Sequence, residues 1–281
     1  MKKPKKKVGI LSKAKQVSEL SDEGLTCLFY GRSGTGKTTL CGSFPTPILI
    51  LDMGERGTDS VSDIKHLEVL RVNDWDELEE IYWELKDGDH NFKSVILDAL
   101  PGVQQLAINQ AKHIARKKPE DQTSQRDMGE ATKLMLTWLY NYRDLKEGGI
   151  NVAYNAHDRI RETDSDDDDA ISPEVGPNIM PGISKALMGA VDVIGVTFIR
   201  VEKEKKKIGV ATKRNVDYCL RIGPHEIYNT KIRVPKNRII PELIVDPTFD
   251  KIVSTMKGEP LTPKKSTGKR LSKNKLKKGT K

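Results

Sequence analysis

A chain of 281 residues, 36% hydrophobic and 31% charged, has apolar material for one sizeable core, and α/β domains of roughly 200–250 residues are common, so one main domain is expected. No run approaches the roughly 18 apolar residues of a membrane-spanning helix, and the apolar stretch after the N-terminal lysines is too short for a signal peptide, so a membrane-spanning protein is excluded and a cytoplasmic one expected. The net charge of +8 is uneven: residues 2–15 hold seven basic and no acidic side chains and residues 257–281 ten basic and one acidic, leaving the body between them at net −8.

The first 22 residues therefore read as a basic extension, residues 23–256 as the domain, and residues 257–281 as a basic tail too poor in apolar side chains to fold. Within the domain, apolar runs at 25–30, 47–51, 93–97, 150–156 and 191–201 are predicted strands. Between them lie helical patterns. Trp75, Leu78, Ile81 and Leu85 share one face, and Ala131, Met135, Trp138 and Tyr142 share one face of a second helix over 127–145. Strands alternating with helices predict a mainly parallel sheet with helices on both faces. A small antiparallel set at 207–212, 216–222 and 226–234 and a short helix at 249–256 are expected to follow. Cys27, Cys41 and Cys219 are widely spaced and suggest neither a disulfide framework nor a zinc site, which fits a reducing compartment.

The first strand runs into Gly31-Arg32-Ser33-Gly34-Thr35-Gly36-Lys37-Thr38-Thr39, a full G-x-x-x-x-G-K-[ST] match. A chance match in a chain of this length occurs on the order of once in a hundred. Its glycines let backbone N–H groups turn inward around phosphates, Lys37 supplies a point charge for the outer phosphates, and the Thr38 hydroxyl suits magnesium. Asp98, ending the run Ser94-Val95-Ile96-Leu97, is the matching carboxylate, so Thr38 and Asp98 are the candidate metal pair. Ala99 and Leu100 follow it, so a water-activating carboxylate must come from elsewhere. Glu55, in Leu51-Asp52-Met53-Gly54-Glu55, is the first candidate, Asp52 the competitor, and a solvated turn the third possibility. Asn155 and His157, where the fourth strand ends, are candidates for sensing the terminal phosphate, an ordinary polar strand terminus being the alternative.

This ordered combination, with a late Thr230-Lys231-Ile232-Arg233, resembles the small RecA-type ATPases of bacteriophages, some of which serve as single-strand annealing or recombination proteins. The likeness spans residues 24–256. It implies a RecA-like P-loop core, ATP with magnesium, host cytoplasm as the location if phage-encoded, and assembly into rings or filaments in which Lys231 and Arg233 complete a neighbour's site. The glutamate motif is one residue longer than the usual D-x-E. The loop after His157, where such proteins commonly contact DNA, carries Asp164 and Asp166 to Asp169, which would repel phosphates.

Two function classes follow. One is an ATPase acting on single-stranded DNA, reached through Arg159, Arg161, the 203–207 run, the Arg116-Lys117-Lys118 surface or the tails. The other is a nucleotide-dependent switch or assembly factor acting on a protein partner, consistent with the acidic body. A guanine-reading N-K-x-D is absent from the sequence, which disfavours a GTPase.

Overall fold

The computed structural model describes residues 9, 23–55, 57–161, 174–202, 215–235 and 238–259. Apart from Gly9 and residues 257–259, both basic extensions lie outside the described residues, as do the acidic loop, the 203–207 run and the strand expected at 207–212.

In chain order the elements are β1 (Thr26–Tyr30), α1 (Lys37–Cys41), β2 (Ile48–Asp52), β3 (Leu67–Arg71), α2 (Trp75–Asp87), β4 (Ser94–Asp98), α3 (Leu100–Ile114), α4 (Gln125–Asp144) and β5 (Asn151–Ala156). They continue with β6 (Asp158–Arg161), β7 (Glu174–Pro177), α5 (Pro181–Ala190), β8 (Val193–Glu202), β9 (Asn215–Arg221), β10 (Lys231–Ile232), β11 (Leu243–Val245) and α6 (Phe249–Lys257). The main sheet runs β11-β9-β8-β1-β5-β4-β2-β3, with β10 paired to β8. From β8 to β3 every pairing is parallel, while β9, β10 and β11 pair antiparallel. One strand, β5, separates the phosphate-loop strand β1 from the Asp98 strand β4. The result is a mixed α/β fold, a mainly parallel sheet with helices on both faces and a small antiparallel extension at one side.

The central strands are legible because they are buried on both faces and so read as near-continuous apolar runs. In β1, Leu28 and Tyr30 enter the core beneath α2 to α5, while Cys27 and Phe29 enter the opposite core with Leu40, Ile252 and Phe249 from α1 and α6. The predicted stripe of α4 is buried as drawn, with Ala131, Met135, Trp138 and Tyr142 all in the first core. On α2 the stripe is wider, and Tyr82 rather than Ile81 lies fully inside. All three cysteines are free and buried.

Two expectations need correction. The strand expected over 226–234 shortens to β10, because the His225 ring nitrogen accepts the backbone N–H groups of Ile227 and Tyr228 and bends the chain into a turn. The strand that pairs with β9 on its outer side is β11 instead. Helix α3 has no counterpart in the sequence reading. Pro101 and Gly102 at its start look like turn residues, yet Pro is tolerated in the first turn, where its missing N–H would have had no partner.

Helix α4 begins with a capping box in which the Ser124 hydroxyl and the Asp127 carboxylate satisfy each other's backbone N–H groups. Lys117 closes on the same carboxylate at 2.6 Å, so part of the expected basic surface is spent on an internal ion pair. These partners hold the buried Asp127 carboxyl well below the usual carboxylate range, first through Lys117 and then through Ser124. A depressed folded pKa stabilises the fold above the unfolded value and is lost as pH falls towards the folded one. Asp127→Asn should therefore lower Tm at pH 7, and the gap to the unsubstituted protein should narrow once pH drops below about 4. A gap independent of pH would mean that the carboxylate's charge contributes nothing.

Candidate nucleotide site

The turn after β1 is shaped by backbone demands that only glycine meets. At Gly31, φ is +153° and a Cβ would lie 2.3 Å from the Thr197 carbonyl oxygen of β8. Gly36 takes the left-handed conformation, φ +88°, immediately before α1. Between them the loop is tied down by Thr35, whose hydroxyl donates to the Arg32 carbonyl at 2.7 Å and shares a 2.7 Å hydrogen bond with Thr197. Ser33 and Gly34 form the exposed crest, and Thr39 is exposed on the first turn of α1.

Lys37 reaches back beneath this loop. Its ammonium donates to the carbonyls of Gly31 at 2.8 Å and Arg32 at 2.9 Å, and the residue is 8% exposed. Burial pulls its pKa below the ordinary lysine value, with Asp98, Glu55 and Asp158 pulling the other way. The Thr38 hydroxyl donates to the Asp98 carboxylate at 2.9 Å, joining the two candidate metal ligands across 60 residues of sequence. Burial pushes the Asp98 carboxyl up; the Thr38 hydroxyl, Asn155 and Lys37 hold it down, and Glu55 adds a repulsion.

Glu55 and His157 form the second pair. Glu55 follows β2 and His157 follows β5, and the imidazole Nε2 meets the carboxylate at 2.9 Å. Both line one cleft of about 400 Å³ with Gly36, Lys37, Thr38, Asp98 and Tyr218. The longer glutamate motif has a local cause: Gly54, at φ +101°, turns so that its N–H donates to the Asp52 carboxylate at 3.0 Å. Asp52 is thereby 4% exposed beneath the turn, while Glu55 projects into the cleft.

Asn155 is fully buried, its carbonyl accepting from the Cys41 thiol at 3.4 Å. Its amide nitrogen lies close enough to Asp98 to favour the charged form but completes no hydrogen bond of its own. Asn155 thus supports the wall behind the site, and His157 stands in the cleft.

Lys231 and Arg233 are placed elsewhere. Lys231 donates to the carbonyls of Met188 and Gly189 where α5 ends, and Arg233 pairs with Asp192 at 2.8 Å. Asp192 also accepts from Thr26 and Lys146, at the starting end of β1. The phosphate loop lies at the finishing end of that strand, roughly 13 Å away at the usual rise per residue. Tyr218 had no sequence signal as a site residue, because it reaches the cleft only through the placing of β9 beside β8.

A family profile described as an AAA domain matches residues 23–234, well over half of the chain. Solved structures similar to this chain include the KaiC-like protein PH0186 of Pyrococcus horikoshii OT3, 16% identical, covering 80% of this chain and 90% of that one at a TM-score of 0.40. The flagellar accessory protein FlaH of Methanocaldococcus jannaschii is 8% identical over 80% of this chain and 85% of its own, at 0.41. The P4 protein of bacteriophage phi6, solved in complex with ADP, is 15% identical over 62% and 50%, at 0.32. A search of curated proteins gives no match. On the match over residues 23–234, the chain belongs to the AAA domain family.

Proposed function

We propose that this protein binds ATP with magnesium in the cleft above α1 and hydrolyses it to ADP and phosphate. The observation that carries the reading is the convergence on one cleft of Lys37, the Thr38–Asp98 pair and the Glu55–His157 pair. Lys37 is the charge for the outer phosphates, the loop N–H groups of Gly34 to Thr39 cradle them, and Glu55 orients the attacking water for in-line displacement. His157, bonded to Glu55, fixes the carboxylate and reports loss of the terminal phosphate to the β6–β7 hairpin that follows.

The donor set suits magnesium. Thr38 and Asp98 offer two hard oxygens, and among the described residues no group of three or more His, Cys, Asp or Glu side chains could cage an ion by itself. Thr38 and Asp98 would hold magnesium together with phosphate oxygens, and the ion would supply positive charge to the phosphates.

The proposed macromolecular target is single-stranded DNA in recombination or replication, supported by the phage RecA-type resemblance and the two basic extensions. The second reading, a nucleotide-driven switch acting on a protein, is favoured by the net −8 of the body. Measuring phosphate release with and without single-stranded DNA separates the two. Stimulation by DNA that fades with salt supports the first; no stimulation at any salt concentration rejects it.

Assembly is part of the same proposal. If Lys231 and Arg233 complete a neighbour's site, they must first leave their contacts with the α5 carbonyls and Asp192. Turnover per subunit should then rise with protein concentration. A Lys231→Ala, Arg233→Ala double variant should be inactive alone and regain activity when mixed with Lys37→Ala subunits, whose own pair is intact. Concentration-independent turnover, or mixtures no better than their parts, would show that each subunit works alone.

A further inference from the structure

The outer half of the β8–β9 ladder carries an exposed apolar face. Ile199 lies opposite Tyr218 and Val201 opposite Val216 on one side of the ladder, with exposures of 40%, 45%, 48% and 46% respectively. Further in on the same face, Thr197 holds the phosphate loop and Leu220 enters the core beneath α1 and α6. The ladder is therefore continuous with the floor of the loop. Tyr218 is the residue where the two meet: its ring edge lies 3.1 Å from where a Cβ on Gly36 would stand, and it lines the same cleft as Lys37 and Thr38.

The order of strands gives the cleft a direction. Asp98, Glu55 and His157 come from β4, β2 and β5, all on one flank of β1, whereas Tyr218 comes from β9 on the other flank. A nucleotide whose terminal phosphate faces the carboxylates and whose phosphate chain follows the loop leaves its nucleoside at the Tyr218 end. The opposite orientation would set the most highly charged phosphate against an aromatic ring and an isoleucine, away from every cation and metal ligand of the site. An exposed aromatic ring flanked by an aliphatic side chain is the surface on which a planar base stacks, because stacking needs a π-face and removes apolar area from water.

We infer that Tyr218, with Ile199 beside it, is the platform that stacks on the nucleobase of the bound nucleotide. The assignment rests on the nucleotide-binding reading of the cleft. It separates the site into a phosphate half, made by the loop, Lys37 and Thr38, and a base half made by the β8–β9 hairpin.

The two halves can be tested apart by titrating the full-length protein with Mg–ATP and with inorganic tripolyphosphate, which has no base. Tyr218→Ala should weaken Mg–ATP binding at least about fivefold, the lower end expected for one lost stacking contact, and leave tripolyphosphate binding within twofold. Tyr218→Phe, which keeps the ring, should bind both as the unsubstituted protein does. In Tyr218→Trp, indole fluorescence should change on adding ATP and not on adding tripolyphosphate. Equal losses for both ligands in Tyr218→Ala would overturn the inference and make Tyr218 a prop for Gly36. Unchanged ATP affinity, with or without a change of oligomeric state, would overturn it too and leave the nucleotide site standing. If the unsubstituted protein binds neither ligand, both the platform and the nucleotide reading fall.

Discussion

Lys37→Ala should abolish ATP hydrolysis and weaken nucleotide binding by well over tenfold. A unit charge about 4 Å from a phosphate is worth up to ~4 kcal/mol at an effective dielectric near 20, whereas tenfold in affinity needs only about 1.4 kcal/mol. The same substitution should not harm the empty protein. Lys37 is a buried ammonium whose pKa burial pulls down, and among the described residues its hydrogen bonds run to two carbonyls of its own loop. Removing it relieves a desolvated charge, so Tm without ligand should hold or rise, while the rise in Tm that ATP produces should vanish. A variant that folds, shows the ATP-dependent shift and turns over at a normal rate would remove the basis for the whole site. Loss of fold would instead make the loop's geometry depend on the ammonium.

What could be read from the sequence follows from burial. Strands β1, β2, β4 and β5 are enclosed on both faces, so each appears as a near-continuous apolar run, and α4 carries its buried side chains at helical spacing. Edge strand β3 is mostly exposed, with Val69 and Leu70 over 40% accessible, and so lacks that signature. Helix α3 hid behind Pro101 and Gly102, and β10 and β11 are too short to carry a period.

The site divides the same way. Residues adjacent in sequence, Gly31 to Thr39, carry their chemistry as a motif, and Asp98 is found by its strand. Pairings that depend on sheet order are invisible to any local pattern: Glu55 meets His157 102 residues away, and Tyr218 meets Gly36 only because β9 lies beyond β8. Position in the sheet also explains why Lys231 and Arg233 miss the cleft of their own chain, since β10 pairs with the first residues of β8, at the end opposite the loop.

The choice between Glu55 and Asp52, open in the sequence, becomes a sharp prediction once their surroundings are compared. Asp52 is buried and accepts the N–H of Gly54, so it shapes the turn; Glu55 lines the cleft, bonded at 2.9 Å to His157. Glu55→Gln keeps the size of the side chain and its ability to bond His157 but cannot take a proton from water. It should bind Mg–ATP as tightly as the unsubstituted protein and turn over at least about a hundredfold more slowly, the lower end for a lost general base. His157→Ala should cost less, because the carboxylate survives but loses its orientation. Asp52→Asn should act differently again: the amide oxygen can still accept from Gly54, so turnover should fall little. Single-turnover phosphate release on all three, alongside nucleotide titrations, gives the ranking. If Asp52→Asn is the slow variant and Glu55→Gln is near normal, the base is Asp52, and the Glu55–His157 pair is a surface contact with no part in the chemistry.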